Sequence, residues 1–204
     1  MPHSRFNPLA GNRHPIDNGK VQPPSIEFAD MSTTPLPRLT FVLGGARSGK
    51  SRYAEKLVMD GTPPWVYVAT GQAHDDEMSA RIATHQARRD GKWRTVEAPL
   101  DLPAAIAAHG NEGHPVLIDC LTLWLSNVML AGQDWTTELQ RLVAALSNVR
   151  GPVVVVSNEV GLGIVPDNAL AREFRDAQGR VNMQIAAIAD RAILIAAGLP
   201  LILK

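Results

Sequence analysis

The sequence predicts an α/β fold whose central sheet is largely parallel and is covered by helices. Short apolar runs, typical of buried strands, alternate with longer segments whose apolar residues recur at helical spacing. A glycine-rich loop lies between the first apolar run and the first helical segment. Because strands that alternate with helices are joined by crossover connections, the strands should run parallel in one sheet.

Five runs are predicted to be strands and four segments to be helices. The predicted strands cover residues 39–43, 65–69, 116–118, 153–156 and 192–196. The predicted helices cover residues 50–59, 75–89, 136–148 and 169–189. Gly179 either divides the last helix into two or only weakens it. Two apolar runs around Gly198 and Pro200, within residues 192–204, predict a hairpin at the edge of the sheet.

The first 38 residues differ in composition from the rest of the chain. They are rich in Pro, Asn, Ser and charged residues and have no apolar periodicity. Such a segment buries too little surface to offset the entropy of ordering, so we expect residues 1–38 to be a disordered extension. Residues 39–204 are expected to form one domain. Met31, just before the first strand, is a second candidate start of translation.

The composition suits a globular protein with no general affinity for polyanions. The chain is 45% hydrophobic and 20% charged, with 20 basic and 20 acidic residues. A neutral balance provides no basic field to attract nucleic acid or an anionic membrane. No apolar stretch approaches the roughly 20 residues that a membrane helix needs, and residues 1–38 lack the apolar core of a secretion signal. We therefore expect a cytoplasmic protein whose single cysteine, Cys120, is a buried structural thiol.

Residues 44–51 carry the clearest motif in the chain. A glycine, four free positions and Gly-Lys-Ser lie between a strand and a helix, as a phosphate-binding loop requires. The residues predicted to bind nucleotide are Gly44, Gly45, Ala46, Arg47, Ser48, Gly49, Lys50 and Ser51. Backbone N–H groups surround the phosphate oxygens, Lys50 neutralises the β- and γ-phosphates, and Ser51 ligates Mg²⁺. The motif alone does not distinguish a motor, a small-molecule kinase and a nucleotidyltransferase.

The predicted helix over residues 75–89 places a histidine next to three arginines. Arg81, His85, Arg88 and Arg89 are three, four or eight residues apart and share one helix face. The neighbouring positive charge disfavours protonation of His85, which favours a neutral, nucleophilic imidazole. This face has the parts for attack of His85 on a phosphorus atom. The alternative is a solvated helix face with an incidental histidine, and the pattern by itself favours that alternative.

Acidic residues follow two of the predicted strands. Asp119 comes directly after residues 116–118, and Glu159 follows the strand at 153–156. Because ligands gather at the carboxyl ends of parallel strands, either acid is a candidate to hold Mg²⁺, and either is equally suited to capping a loop. Glu97 is a third acid to which the pattern assigns no purpose. The loop at residues 161–166 either faces substrate or is a packed turn.

Together these pieces resemble the bifunctional adenosylcobinamide kinase and adenosylcobinamide-phosphate guanylyltransferase family of cobalamin biosynthesis. The resemblance covers residues 40–204 and is carried by residues 44–51, 69–71, 75–78 with Arg81, Ile82 and His85, 93–97, and 157–166. It implies a RecA-like P-loop fold, usually a homotrimer. It also implies two reactions: phosphorylation of adenosylcobinamide by ATP or GTP, then transfer of GMP from GTP to the phosphorylated product.

The resemblance further implies roles for individual residues. His85 carries the guanylyl group as a covalent intermediate, which reverses the preference given by the pattern alone. Guanine nucleotide is contacted by Ala69, Thr70, Gly71, Gln86, Ala87, Arg88, Arg89, Glu97 and Asp119. The candidate magnesium ligands remain those that the motif and the strand ends indicate, Ser51 and Glu159, and which acid positions the metal stays open. The rival interpretations are a small-molecule kinase without guanylyl transfer and an NTPase switch.

Overall fold

The computed structural model describes residues 35–72 and 91–204, and it confirms the predicted α/β architecture. The strands are β1 (Leu39–Gly44), β2 (Trp65–Ala69), β3 (Trp93–Glu97), β4 (Val116–Asp119), β5 (Val153–Asn158), β6 (Arg191–Ala196) and β7 (Leu199–Ile202). The helices are α1 (Lys50–Met59), α2 (Leu102–His109), α3 (Leu121–Leu130), α4 (Trp135–Ser147) and α5 (Ala169–Ile188). The predicted extension at 1–38 falls almost wholly, and the predicted helix at 75–89 wholly, outside the described residues.

One sheet of seven strands organises the described chain in the order β3-β2-β4-β5-β1-β6-β7. The neighbours from β3 to β6 run parallel, and β7 is antiparallel to β6 at the edge, which confirms the predicted hairpin. Parallel strands place their carboxyl ends together, and we call this side of the sheet the carboxyl edge. Gly44 pairs with Asn158 there, and Ala69 pairs with Asp119. The phosphate loop and both strand-end acids therefore lie along the same edge.

The sheet has a hydrophobic core on each face. Along β5, Val153 and Val155 pack on one face while Val154 and Val156 pack on the other, as the alternation of side chains in a strand requires. Helix α1 covers the second face, and α2, α3, α4 and α5 cover the first. None of the helices within residues 35–72 and 91–204 is both long and apolar enough to span a membrane.

Three elements were not among the predicted strands and helices. β3 lies at the edge of the sheet and is largely exposed, so it lacks the apolar run of a buried strand. α2 is a short, alanine-rich helix whose cap is the Asp101 side chain, which accepts a hydrogen bond from the Ala104 N–H. α3 is apolar over most of its surface and has little helical periodicity, because it is packed between the sheet and other helices.

The glycine in the last helix does not divide it. α5 is continuous over 20 residues, from Ala169 to Ile188. Ala177 and Val181, which flank Gly179, are both buried against the sheet. Packing of that face outweighs the roughly 1 kcal/mol that a glycine costs in a helix.

Substitution of this glycine should stabilise the protein. Gly179 is exposed, and a Cβ at that position would meet no atom within 4 Å. We expect Gly179→Ala to raise the free energy of unfolding by about 0.5–1 kcal/mol, because alanine loses less backbone entropy on folding. Urea unfolding monitored by circular dichroism measures the change, and a lower midpoint in the variant would contradict the expectation.

Candidate active site

The phosphate loop is shaped to surround an anion. Arg47 and Gly49 both adopt left-handed backbone conformations, with φ of 57° and 94°. Lys50 is the first residue of α1 and is buried, and its Nζ donates to the Gly45 carbonyl at 3.1 Å. Within the described part of the chain, no side chain caps the N-terminus of α1 and the buried Ser48 Oγ has no partner. Open N–H groups, a buried hydroxyl and a lysine are what phosphate oxygens require.

Two neighbouring strand ends hold this loop in place. The Gly44 carbonyl accepts a hydrogen bond from the Glu159 N–H at 3.1 Å, just beyond the end of β5. A Cβ at Gly44 would stand 2.8 Å from the Ile195 carbonyl oxygen on β6 and 2.5 Å from Ser48 Oγ. Only a glycine fits such a close approach, so the start of the loop is fixed against both β5 and β6.

The turn of the C-terminal hairpin also contacts the phosphate loop. The Gly198 N–H donates to the Ser48 carbonyl at 3.0 Å. Ala197 and Gly198 have φ of 52° and 82°, the pair of left-handed conformations that a two-residue hairpin turn favours. The hairpin therefore supports the back of the loop, a contact that joins residues 150 positions apart and that the motif did not reveal.

Asp119 occupies the carboxyl end of β4, two strands from β1 in the sheet. The Tyr67 hydroxyl donates to Asp119 Oδ2 at 3.3 Å. The next residue, Cys120, exchanges two hydrogen bonds with Thr70: its N–H donates to Thr70 Oγ1 at 2.8 Å, and its carbonyl accepts from the same hydroxyl at 2.7 Å. The Asp119–Cys120 peptide bond is cis. These contacts hold the Asp119 backbone at the carboxyl edge.

The described residues predicted to contact guanine nucleotide differ in accessibility. Thr70 is fully buried, and its carbonyl accepts a hydrogen bond from Asn127 Nδ2 at 2.8 Å. Its side chain thus shapes the edge rather than offering a free surface, whereas Gly71 is partly exposed. Glu97 is exposed at the end of β3 and pairs with Ala69. Four strand spacings separate β3 from β1, which is roughly 19 Å.

Glu159 bonds within its own loop. Its Oε1 accepts from the Gly161 N–H at 2.6 Å, and Arg175 donates to the Gly161 carbonyl at 3.2 Å. This geometry fits the loop-capping alternative, while its role as a magnesium ligand stays a prediction. Among residues 35–72 and 91–204, no three His, Cys, Asp or Glu side chains form a cluster that would hold a metal.

A buried polar network at the end of β5 was missed by the sequence reasoning. Ser157, Gln178 and Asn182 are all buried. Ser157 Oγ donates to Asn182 Oδ1 at 2.7 Å, and Gln178 Nε2 donates to both, at 3.0 and 2.9 Å. Asn182 Nδ2 donates to the Asn158 carbonyl at 3.0 Å. The sequence does contain a signal for this network. Gln178 and Asn182 are four residues apart, and they lie beside Ala177 and Val181 on the helix face that packs against the sheet.

The histidine and its neighbours lie outside the described residues. His85, Gln86, Ala87, Arg88 and Arg89 all fall in residues 73–90, so their predicted roles are not tested by this geometry. What the described residues bring together is the phosphate loop, the ends of β4 and β5, and the 69–71 segment.

Known proteins identify the family to which this arrangement belongs. Residues 40–203 match the family described as CobU: cobinamide kinase / cobinamide phosphate guanyltransferase. The chain belongs to this family. The bifunctional adenosylcobalamin biosynthesis protein CobP of Pseudomonas aeruginosa is 45% identical over 165 residues, 80% of this chain and 95% of that protein. The bifunctional adenosylcobalamin biosynthesis protein CobU of Salmonella typhimurium is 41% identical over 181 residues, which are 81% of this chain and 99% of that protein.

Solved structures agree on the fold. An ATPase of the type III secretion system of pathogenic bacteria superposes on this chain with a TM-score of 0.51 at 13% identity. The match covers 78% of this chain and 51% of the ATPase chain. The flagellar accessory protein FlaH of Methanocaldococcus jannaschii has a TM-score of 0.51 at 14% identity, covering 83% and 79%. These likenesses support the predicted RecA-like P-loop fold, and the sequence matches confirm the predicted resemblance to the cobinamide kinase and guanyltransferase family.

Support of the phosphate loop by the hairpin turn is testable in this member of the family. We expect Gly198→Ala to weaken binding of a non-hydrolysable GTP analogue by about fivefold, because a side chain at φ 82° costs about 1 kcal/mol and shifts the turn. Isothermal titration calorimetry measures the dissociation constant. Gly132→Ala is the matched control, since Gly132 also has a positive φ of 67° but lies between α3 and α4. An equal loss of affinity in both variants would count against the contact.

The cysteine beside Asp119 should be chemically inert in the folded protein. Burial, with a smaller effect of Asp119, raises the pKa of the Cys120 thiol from 9.0 to about 11. At pH 8 this lowers the thiolate fraction by about a hundredfold, so labelling by a disulfide reagent should be slow until urea unfolds the chain. Because folding raises this pKa, the stability linked to the thiol is intact below pH 9 and falls as pH rises toward about 11. Rapid labelling of native protein would contradict this.

Proposed function

We propose that this chain carries out both reactions that its family description names. It phosphorylates adenosylcobinamide with ATP or GTP, and then transfers GMP from GTP to the phosphorylated product, which gives adenosylcobinamide-GDP and pyrophosphate. The observation that carries the proposal is a correctly formed phosphate loop at the carboxyl edge of a chain that matches this family over residues 40–203.

In the kinase reaction, the phosphate loop acts by positioning and by charge. The loop N–H groups and Lys50 hold the β- and γ-phosphates of the donor and stabilise the charge that develops on the transferred group. The substrate hydroxyl attacks the γ-phosphorus, the bond from that phosphorus to the bridging oxygen breaks, ADP or GDP leaves, and the hydroxyl proton passes to solvent. The rigid contacts of Gly44 with β5 and β6 keep these donors aligned for attack.

The residues at this edge fit Mg²⁺ bound together with the nucleotide. Ser51 in the first turn of α1 and Asp119 at the end of β4 provide a hydroxyl and a carboxylate oxygen, the donors that Mg²⁺ prefers when phosphates and water supply the rest. Bound there, the ion would neutralise phosphate charge. Glu159 is the second carboxylate candidate, although its Oε1 is occupied by the Gly161 N–H.

For guanylyl transfer we assign the nucleophile to His85. Its neutral imidazole attacks the α-phosphorus of GTP, a nitrogen–phosphorus bond forms, pyrophosphate leaves, and the imidazole loses its proton. A phosphate oxygen of adenosylcobinamide phosphate then attacks the same phosphorus, the nitrogen–phosphorus bond breaks, and a proton returns to His85. The remaining guanine-nucleotide contacts are assigned to Ala69, Thr70, Gly71, Gln86, Ala87, Arg88, Arg89, Glu97 and Asp119.

The assembly and location follow from the same proposal. We infer a homotrimer, which sedimentation equilibrium tests directly. Because ATP and GTP are the substrates, we assign the enzyme to the cytoplasm, and fractionation of cells carrying a tagged chain tests that assignment.

The covalent intermediate provides the sharpest test. We expect protein incubated with GTP labelled at the α-phosphate to acquire acid-labile, alkali-stable label, since a histidine phosphoramidate has that stability. His85→Ala should lose the label and keep adenosylcobinamide kinase activity, because the γ-phosphate is held by the phosphate loop. Label on wild-type protein is detected after gel filtration in denaturant.

A second histidine serves as the matched control. His114 is partly buried next to Pro115, before the amino end of β4 and therefore on the side of the sheet away from the phosphate loop. His114→Ala should label like wild type. Absence of label on wild type, or persistence of label in His85→Ala, would reject the covalent route and favour the rival in which the chain is a kinase alone.

A further inference from the structure

The loop between β5 and α5 presents apolar side chains to solvent. Leu162 is 88% exposed, Ile164 is 97% exposed and Val165 is 61% exposed, and Leu170 in the first turn of α5 is 60% exposed. We call these four residues the apolar loop surface. Ile164 and Leu162 are the two most exposed large hydrophobic side chains among residues 35–72 and 91–204. Scattered exposed apolar residues are ordinary, but several in one short segment mark a binding surface.

This exposure belongs to a loop that is held at both ends. Gly161 is bonded through its N–H to the Glu159 carboxylate and through its carbonyl to Arg175. At the other end, Arg172 donates to the carbonyls of Pro166 and Asp167, at 3.0 and 2.7 Å. A loop fixed in this way loses little conformational entropy when a ligand covers it, which favours binding.

The loop also begins beside the phosphate loop. Asn158 pairs with Gly44 in the sheet, and the Glu159 N–H donates to the Gly44 carbonyl at 3.1 Å. The apolar loop surface follows only a few residues later. An acceptor whose hydroxyl comes within about 3–3.5 Å of the γ-phosphorus must extend the rest of its body over the carboxyl edge. The β5–α5 loop starts at this edge, since its first residue, Glu159, is bonded to Gly44.

We propose that the apolar loop surface binds the corrin ring of the acceptor substrate. The inference rests on the proposed function, in which the acceptor is a corrinoid. A corrin ring carries methyl groups among the amide side chains of its periphery, and these methyl groups and the ring edge are the apolar surface that a rigid apolar platform matches. Ligand sites are commonly lined in this way, by apolar side chains with few polar groups. The nucleotide, held at the phosphate loop and the 69–71 segment, does not require this platform.

The test uses a double substitution on the platform and a matched control. Leu162→Ser with Ile164→Ser removes its two most exposed side chains, and exposed positions of this kind tolerate substitution with little loss of stability. Leu130→Ser is the control, because Leu130 is 70% exposed at the last residue of α3. That helix begins at the carboxyl edge, and its 10 residues extend about 15 Å.

Steady-state kinase kinetics measure the effect of these substitutions on the KM of each substrate. The double variant should raise KM for adenosylcobinamide about tenfold or more, because two side chains lose their burial against the ring. KM for ATP, covalent labelling by GTP without the corrinoid, and the sedimentation coefficient should stay at wild-type values. The Leu130→Ser variant should match wild type in every measurement.

The contrary outcomes separate this inference from the proposed function. An unchanged KM for adenosylcobinamide in an otherwise active double variant would overturn the inference and leave the function intact. An equal rise in KM for ATP would overturn it as well, since the effect would then lie in the phosphate loop. Dissociation of the oligomer in the double variant would assign the surface to a second copy of this chain. Wild-type protein with neither kinase activity nor label would reject the proposed function and the inference with it.

Discussion

The close approach of three strand ends at Gly44 is the constraint on which the described site depends. β1 ends there, the backbone just after β5 donates to the Gly44 carbonyl, and the Ile195 carbonyl on β6 lies where a side chain would stand. Because there is no room for a Cβ, the phosphate loop starts from a point that packing determines on both sides. The Gly198 N–H adds a third contact, to Ser48. These contacts hold the loop backbone in one arrangement, and fixed donors are what electrostatic catalysis requires.

Buried polar groups extend this organisation to the neighbouring strands. Asn182 holds the end of β5 through the Asn158 carbonyl, and Thr70 holds the backbone next to Asp119 through two hydrogen bonds with Cys120. In an apolar interior such groups are costly unless they are paired, so each pair favours a single arrangement of the edge. In the proposed mechanism this one edge serves two transfers, that of the γ-phosphoryl group in the first reaction and that of the guanylyl group in the second.

Strands and helices were predicted correctly from the sequence where their local pattern of apolar residues reflects burial. The five predicted strands were correct because buried parallel strands are continuous apolar runs, and the hairpin was correct because glycine and proline separate two such runs. β3, α2 and α3 were missed for the converse reason: an edge strand is half polar, a short alanine-rich helix has little contrast, and a helix packed between layers is apolar nearly all round. The sequence did not decide whether Gly179 divides the last helix, because the answer depends on how α5 packs against the sheet.

The sequence by itself identified the phosphate loop and the resemblance to the family, because a motif places characteristic groups at set positions along a few contiguous residues. The chemistry proposed for His85 came from that resemblance and stays a prediction, since His85 lies outside the described residues. Only the tertiary structure decided how the loop is held, which polar residues support the strand ends, and that Leu162 and Ile164 face solvent. The hydrogen bonds among these features join residues 21 to 150 positions apart in the chain. Their geometry depends on how the helices pack on the sheet, which no local pattern records.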